Sequence, residues 1–187
     1  ISNTKSMITF GLTGSKGQCR NALSQLKSLF SELGVVNMGT GLGKVWEHSR
    51  FRSPYLRHTL WELGYAVDTL ETAVDWAKLP AAVSNIEQSL KDGVPGLPIH
   101  VFTHMSHIYP QGASIYTTYI FPNGASYAET LGYWRVLKKA VSQAVGESGG
   151  TISHQHGVGR DHAPYLHREK GKEGLQALTA LRQHFDP

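Results

Sequence analysis

The chain of 187 residues contains a single cysteine, Cys19, and few charged residues. One thiol excludes an internal disulfide, so we expect the protein to fold in a reducing compartment. The 18 Lys and Arg residues are scattered and form no basic run interleaved with aromatic side chains. This distribution argues against binding to nucleic acid. A net charge of +4 instead suits anionic substrates such as phosphates and carboxylates.

The sequence also lacks an apolar run long enough to cross a bilayer and the pattern of a secretory signal peptide. Apolar residues nevertheless make up 40% of the chain, which is typical of a folded globular protein. The length allows one domain with a sizeable core. Because the chain begins at Ile1 without a methionine and stops at a turn signal, Phe-Asp-Pro, we expect it to be a piece of a longer polypeptide.

The spacing of apolar residues predicts helices and strands that alternate along the chain. Strands are predicted over residues 6–13, 35–38, 65–74, 97–108 and 114–121. Helices are predicted over residues 16–33, 46–63 (interrupted near residues 53–54), 79–90, 127–146 and 173–185. The turn residues 109–112, Tyr-Pro-Gln-Gly, join the last two strands as a hairpin, so the sheet is at least partly antiparallel. The prediction is an α+β fold with helices packed on one face of the sheet.

Residues 149–159, Gly-Gly-Thr-Ile-Ser-His-Gln-His-Gly-Val-Gly, are the most informative segment. In extended backbone, His154 and His156 would point to the same side and Gln155 to the other. Glycines on both flanks allow tight turns and close approach to another surface. Such a pair can lie on the surface without function, line a pocket, or ligate a metal, which needs at least a third ligand. Cys19, in a helical stretch elsewhere, is not an evident third ligand.

Four ordered blocks resemble one protein family. Residues 149–159 are similar to the Ser-His-His-His-Gly-Val-Gly signature of FAD-linked oxidases of the vanillyl-alcohol oxidase superfamily. Within that superfamily the match is to the C-terminal cap domain of the alkyldihydroxyacetonephosphate synthase (alkylglycerone-phosphate synthase) family. The other blocks are residues 54–57 (Pro-Tyr-Leu-Arg), 71–76 (Glu-Thr-Ala-Val-Asp-Trp) and 112–116 (Gly-Ala-Ser-Ile-Tyr).

The resemblance implies that residues 1–187 form a ferredoxin-like cap domain, and that the FAD-binding domain lies N-terminal to it, outside this chain. Members of the family exchange the acyl group of acyl-dihydroxyacetone phosphate for a long-chain fatty alcohol, which forms the ether bond of ether lipids. The expected partners are FAD, the phosphorylated lipid precursor, the fatty alcohol and the protein's own FAD-binding domain. We expect the whole enzyme in the cytoplasm, with peripheral membrane contact and a homodimer both compatible with this role, or in the peroxisome of a eukaryote. The fragment alone should be inactive.

The resemblance also implies roles for individual residues. Tyr116 matches the family's general acid/base tyrosine, and His154 and His156 match histidines beside the flavin that assist it. Together with Gln155, which replaces a histidine of the family pattern, they are expected to line the cofactor. Arg57 matches an arginine that contacts substrate, and its rigid guanidinium suits phosphate oxygens. Glu71 and Trp76 are interpreted as a buried structural pair outside the active core.

Two other hypotheses remain open. Related 2-hydroxy-acid dehydrogenases resembling glycolate oxidase bind a divalent metal through histidines and a glutamate, but here Tyr116 stands near one such histidine position and Gln155 at the glutamate position. Because a neutral amide is a poor substitute for a carboxylate ligand, no metal is predicted. The third hypothesis is a non-catalytic α+β module that binds a partner. The synthase hypothesis requires that the imidazoles of His154 and His156 and the phenol of Tyr116 line the same wall of one cavity.

Overall fold

The computed structural model describes residues 7–186. The chain divides into two compact units between Leu56 and Arg57. The first unit contains α1 (Lys16–Glu32) and α2 (Gly41–Ser49), followed by a short 3-10 turn, and α3 (Ser53–Glu62) crosses into the second unit. Helix α1 begins with a capping box, in which Ser15 Oγ accepts from the Gln18 amide and the Gln18 side chain accepts from the Ser15 amide. None of the side chains described in the first unit is buried.

The second unit consists of one sheet and its helices. Its elements are β1 (Tyr65–Asp75), α4 (Leu79–Lys91), β2 (His100–Ile108), β3 (Gly112–Pro122), α5 (Tyr127–Glu147), α6 (Gly159–His162) and α7 (His167–Phe185). The strands lie in the order β1-β3-β2 and both pairings are antiparallel. This order follows from the β-α-β-β-α sequence of a ferredoxin-like unit.

One face of the sheet packs against α4 and α5 to form the core. Side chains two residues apart on a strand share a face, so alternate residues of β1 and β3 enter this core. The buried cluster includes Leu70, Val74, Ile86, Leu90, Ile115, Tyr119, Phe121, Leu137, Val141 and Val145. The prediction of an α+β fold with an antiparallel sheet and helices on one face is confirmed.

A short extended segment occupies the free edge of β1. The Thr151 amide donates to the Ala73 carbonyl oxygen at 3.1 Å, and the His154 amide donates to the Glu71 carbonyl oxygen at 3.0 Å. The segment runs antiparallel to β1, where a ferredoxin-like unit has its fourth strand. From the opposite side, the Glu169 carboxylate of α7 accepts from the Ile152 amide at 2.7 Å. Residues 149–159, which we name the histidine motif, are therefore held between β1 and α7.

The two strands predicted before residue 57 are wrong as far as the structure describes them. Residues 7–13 and 35–38 adopt no regular strand, and Ser6 lies outside the described residues. An alternating pattern makes a strand only when a neighbouring strand supplies hydrogen-bond partners, and no described strand pairs with either segment. The last helix also begins earlier than predicted, at His167, with a kink at Gly171 where φ is 65°.

The carboxylate of Asp68 joins β1 to α5. Its Oδ2 atom accepts from Trp134 Nε1 at 2.8 Å and from Lys138 Nζ at 3.2 Å. The hydroxyl of Tyr119 donates to the same oxygen at 2.8 Å. Burial alone would raise the pKa of the Asp68 carboxyl, but Lys138 and these hydrogen bonds lower it by more, so its pKa lies below the usual range.

We expect Asp68→Asn to destabilise the protein by about 2 kcal/mol, because three donors lose their charged acceptor. A carboxyl whose pKa is lowered by folding contributes stability above its unfolded pKa of about 3.9, and this contribution is lost as the pH falls further toward the folded pKa. Denaturant unfolding at pH 7 and at pH 3 measures both effects. The loss at pH 7 should shrink at pH 3, whereas Asp75→Asn, at an exposed position of the same strand, should change little at either pH. Equal losses at both pH values would contradict the ionic role.

Within residues 7–186, the helices are either too short or too polar to span a bilayer.

Candidate functional site

The second face of the sheet carries a row of polar side chains across all three strands. Glu71 of β1 lies directly opposite Tyr116 of β3, and Tyr116 lies opposite His104 of β2. Farther along the same face, Tyr65, His100 and Phe102 are exposed. Because residues opposite each other on paired strands point to the same face, the row is fixed by the strand register. This face is the candidate functional site.

A bulge in β2 directs two consecutive side chains toward the row. The pairing of β2 with β3 is regular from His100 to Met105 and then shifts before Ile108, which leaves Ser106 and His107 out of register. Ser106 Oγ donates to Glu71 Oε1 and lies 2.7 Å from Ser114 Oγ. His107 Nδ1 lies 3.4 Å from Glu71 Oε1. Bulges are common beside active sites because they redirect side chains in this way.

Glycine allows the histidine motif to approach β1. A Cβ atom on Gly150 would lie 2.4 Å from Thr72 Oγ1, so no other residue fits there without a shift. Five residues later, Gln155 has a positive φ of 60°, and the His156 amide donates to the His154 carbonyl oxygen at 2.8 Å. This hydrogen bond closes a three-residue turn that lets both histidine rings reach the same carboxylate.

Three imidazoles surround the Glu71 carboxylate, and we name Glu71, His107, His154 and His156 the histidine cluster. His154 Nδ1 lies 3.2 Å from Glu71 Oε1, and His156 Nε2 lies 3.5 Å from Glu71 Oε2. The Glu71 side chain is only 3% exposed, whereas the side chain of His107 is 43% exposed. The carboxylate of the histidine cluster is therefore buried, and solvent reaches the cluster from the side of His107.

Burial raises the pKa of the Glu71 carboxyl, but the hydroxyls of Ser106 and Ser114 and the neighbouring His154 ring lower it by more. The net pKa lies below the usual range for a glutamate, so Glu71 is ionised at neutral pH. A buried negative charge is costly unless a cation compensates it. Within the described part of the chain, the only ion-pair partners of Glu71 are the three histidines.

Tyr116 is in contact with an imidazole on each side. Its ring meets His156 edge-on with centroids 5.6 Å apart, and it stacks on His104 with centroids 5.0 Å apart. The phenol is half-buried. Among the residues that the structure describes, its hydroxyl has no hydrogen-bond partner. The hydroxyl is thus available to a molecule that enters from the open face of the sheet.

The structure brings Tyr116, His154 and His156 together on one wall, as the synthase hypothesis requires. The route to this arrangement differs from the prediction. Gln155 is not part of a plain extended strand, and its side chain does not point away, since its amide nitrogen lies 3.5 Å from His107 Nε2. The side chain of Gln155 departs from the predicted direction because its backbone adopts a left-handed conformation.

The interpretation of Glu71 and Trp76 as a structural pair is wrong. Trp76 is 42% exposed, and its Nε1 donates to the Pro110 carbonyl oxygen at 3.2 Å. Glu71 lies at the centre of the candidate site instead. Glu71 lies within β1, whereas Trp76 follows Asp75, the last residue of that strand, so the two side chains have different surroundings.

Arg57 lies on α3 and is exposed. No hydrogen bond or ion pair connects it to the histidine cluster or to any other residue that the structure describes. Its guanidinium is therefore available for an external anion, and the structure does not link it to the other predicted site residues.

Sequence reasoning missed Glu71, Ser106 and Tyr109 as contributors to the site. The Tyr109 hydroxyl lies 3.0 Å from His154 Nε2. For Glu71 a signal existed, because it is the only charged residue between positions 69 and 74 of β1. No local pattern marks Ser106 or Tyr109, because they reach the cluster only through the bulge and the hairpin.

Comparison with known proteins gives results that agree with this architecture. The profile of the family described as "FAD linked oxidases, C-terminal domain" matches residues 1–187. The chain is 28% identical over 163 residues to the alkyldihydroxyacetonephosphate synthase of Dictyostelium discoideum, a match that covers 85% of this chain and 26% of that protein. It is 54% identical over 52 residues to the glycolate oxidase subunit GlcD of Bacillus subtilis, which covers 28% of this chain and 10% of that protein.

A solved structure of an alkyldihydroxyacetonephosphate synthase resembles the fold with a TM-score of 0.63 at 22% identity, over 81% of this chain and 28% of that one. The chain thus spans about a quarter of the length of the synthases that it matches. Since the family profile covers the chain from end to end, the chain belongs to the C-terminal domain family of FAD-linked oxidases.

Proposed function

We propose that this chain is the substrate-binding and catalytic half of an FAD-dependent enzyme similar to alkylglycerone-phosphate synthase. The enzyme would exchange the acyl group of acyl-dihydroxyacetone phosphate for a fatty alcohol, with release of a fatty acid and formation of an ether bond. The similarity to the Dictyostelium synthase over 85% of this chain supports the choice. The FAD-binding domain would be supplied by another part of the same polypeptide.

The observation that carries the proposal is the position of Tyr116 beside His156 on an otherwise open sheet face. An exchange of this kind requires a proton to be taken from one group and given to another. The Tyr116 hydroxyl, which has no described hydrogen-bond partner, could move this proton at its oxygen. His156, in ring contact with Tyr116 and 3.5 Å from Glu71 Oε2, is the neighbour that could stabilise the phenol oxygen when the proton is absent.

FAD is the cofactor of the family, and the residues present fit one edge of it. His156 is 34% exposed, Tyr116 is half-buried, and both face the open side of the sheet where a flavin ring can lie. Gln155 is exposed beside them. His154 fits less well than the prediction assumed, because its side chain is only 15% exposed and both ring nitrogens face inward, toward Glu71 and Tyr109. When bound, the flavin would supply the chemistry at the substrate carbon without net electron transfer.

Arg57 is the proposed contact for the substrate phosphate. Its exposed guanidinium, without a described partner, can offer two parallel N–H donors to phosphate oxygens. An arginine already paired with a carboxylate would have to exchange that partner first. The net charge of +4 is consistent with an anionic substrate.

A second candidate is oxidation of a 2-hydroxy acid with the same cofactor. The 54% identity with the glycolate oxidase subunit over 52 residues favours it, although the match covers only 28% of this chain. The two candidates differ in electron balance. Oxidation delivers two electrons to an acceptor, whereas exchange of an acyl group for an alcohol consumes no acceptor.

The test uses the natural full-length protein with its bound flavin, under anaerobic conditions. Acyl-dihydroxyacetone phosphate and a long-chain fatty alcohol should give an alkyl ether product and one released fatty acid per turnover, with no reduction of an added dye. Dye reduction that depends on glycolate or another 2-hydroxy acid, without ether product, would replace the proposal with the second candidate. A purified protein without flavin and without either activity would favour a non-catalytic binding module.

A further inference from the structure

The two oxygen atoms of the Glu71 carboxylate have different surroundings. Oε1 accepts from the Ser106 hydroxyl and lies 3.2 Å from His154 Nδ1 and 3.4 Å from His107 Nδ1. Oε2 instead faces His156 Nε2 at 3.5 Å. The Glu71 side chain is only 3% exposed, so these neighbours, and not solvent, set its orientation. The groups around Oε1 hold the carboxylate in place, which directs Oε2 toward His156.

A chain of hydroxyl groups fixes the direction of the hydrogen bond to Oε1. The His107 amide donates to Ser114 Oγ at 2.9 Å, which leaves the Ser114 hydroxyl hydrogen for Ser106 Oγ, 2.7 Å away. Ser106 then donates its own hydrogen to Glu71 Oε1. Hydrogen bonds in such a chain polarise and strengthen one another. The atom at the Oε1 position is therefore required to accept a hydrogen bond, and a donor there would break the chain.

A proton on His154 Nδ1 completes the arrangement at this oxygen. The Nδ1 atom is buried, and Glu71 Oε1 lies 3.2 Å from it, so a proton between the two atoms satisfies both of them. The second ring nitrogen, Nε2, lies 3.0 Å from the Tyr109 hydroxyl, which can then donate to it. His154 is thus fixed at both of its ring nitrogens, and it helps to orient the carboxylate.

The His156 ring connects Glu71 with Tyr116. Its Nε2 atom faces Oε2 of the carboxylate, and the ring is in edge contact with the phenol ring, with centroids 5.6 Å apart. Because an ionised carboxylate only accepts hydrogen bonds, it favours the neutral form of His156 that has the proton on Nε2 and the lone pair on Nδ1. The separation of 3.5 Å is longer than a formed hydrogen bond, and catalytic hydrogen bonds are often this long before the substrate binds.

We propose that Glu71 is a positioning residue that fixes the tautomer of His156, so that Nδ1 of this ring can accept the proton of the Tyr116 hydroxyl. This role rests on the proposed exchange reaction, in which Tyr116 moves a proton. In the transfer the O–H bond of Tyr116 breaks and an N–H bond forms at Nδ1, directly or through one bridging water. The products are a phenolate and an imidazolium whose positive charge lies beside the Glu71 carboxylate. Serine proteases use an aspartate in the same way, to hold a histidine in the correct tautomer and to stabilise its charged form.

Glu71→Gln in the full-length, flavin-containing enzyme tests this role, because an amide keeps the shape of the side chain but accepts hydrogen bonds at only one end. The donors Ser106 and His154 keep the amide oxygen at the Oε1 position, which places the NH2 group against His156 Nε2. The ring then accepts at Nε2 and carries its proton on Nδ1, which is the wrong tautomer. We expect kcat for ether formation to fall by about 100-fold or more, while KM for acyl-dihydroxyacetone phosphate changes little.

Glu71→Asp separates positioning from a purely structural role. Its shorter carboxylate still accepts at both oxygens but fills less space, so Glu71→Asp should melt at a lower temperature than Glu71→Gln and yet have a higher kcat. A structural role predicts the same order of the two variants in both measurements. Glu87→Gln is the matched control, because it makes the same chemical change on α4, which packs on the other face of the sheet, and it should leave kcat unchanged.

A measurement without substrate comes from 15N spectra of the full-length protein labelled in its histidine rings and held at pH 8. The His156 signals are those that disappear in His156→Gln. They should show the proton on Nε2 in the natural protein and on Nδ1 in Glu71→Gln. A proton on Nδ1 in the natural protein would overturn the proposal. An unchanged kcat in Glu71→Gln, or a lower kcat in Glu71→Asp than in Glu71→Gln, would overturn it as well.

Failure of the exchange reaction itself gives a different result. A natural enzyme that makes no ether product refutes the proposed function, and the 15N spectra still decide whether Glu71 sets the tautomer of His156. If the natural enzyme and Glu71→Gln make ether equally well, the proposed function stands and Glu71 has no part in it. If Glu71→Gln does not fold, the spectra of the natural protein decide alone.

Discussion

Tyr116→Phe in the full-length enzyme should lower kcat for the alcohol-for-acyl exchange by about 100- to 10,000-fold, the range typical of a lost general acid or base. The change removes one oxygen atom and keeps the ring. The stacking of residue 116 on His104 and its edge contact with His156 should therefore persist. Because the Tyr116 hydroxyl has no described hydrogen-bond partner, its removal leaves no buried group unsatisfied in the described part of the chain. Steady-state kinetics of ether formation measure the effect.

The matched control is Tyr127→Phe, which removes a hydroxyl from a tyrosine that is 70% exposed at the start of α5. This variant should turn over normally. Flavin content and the melting temperature should be unchanged in both variants, which separates loss of chemistry from loss of structure. Normal exchange by a folded, flavin-containing Tyr116→Phe protein would remove the phenol from the mechanism, and the proposal would then need another proton carrier on the same sheet face.

The sheet and its helices from residue 65 onward were predictable because each local signal agrees with the packing. The alternation in β1, the Tyr-Pro-Gln-Gly turn and the apolar stripes of α4 and α5 all place the same side chains in the core. The same signals fail before residue 57. The apolar residues of 7–13 and 35–38 alternate or cluster as in a strand, but no described strand pairs with them, and pairing is a long-range property that a short pattern cannot supply.

The candidate site was predictable only in part. The phenol of Tyr116 and the rings of His154 and His156 were identified through the family resemblance, and the structure places them on one face. Glu71 was interpreted as structural, because sequence alone gives no reason for a strand carboxylate to meet residues almost 40 and more than 80 positions away. The bulge that turns His107 inward and the left-handed Gln155 both depend on partners in other elements.

The residue that is expected to matter most for stability is Gly112, at the first position of β3. A Cβ atom there would lie 1.9 Å from the Val74 carbonyl oxygen and 2.9 Å from the Asp75 Cα atom. Both are backbone atoms of β1, which cannot move aside as a flexible side chain does. Gly112→Ala should therefore separate the two strands at this end and destabilise the protein by about 3 kcal/mol or more, at the upper end of overpacking effects. Denaturant unfolding of the full-length protein measures it.

A glycine-to-alanine substitution in α5 should change the stability of the protein in the opposite direction. A Cβ atom on Gly132 would have nothing within 4 Å, and alanine is the better helix former by about 0.5–1 kcal/mol, so Gly132→Ala should be neutral or stabilising. The contrast separates close backbone approach from a general effect of added methyl groups. Because Gly112 begins β3, the strand that carries Ser114 and Tyr116, its replacement should also disturb the contact of Ser114 with Ser106. If Gly112→Ala and Gly132→Ala proved equally stable, the tight pairing of β1 with β3 at this end would be wrong, and with it the register that sets Glu71 opposite Tyr116.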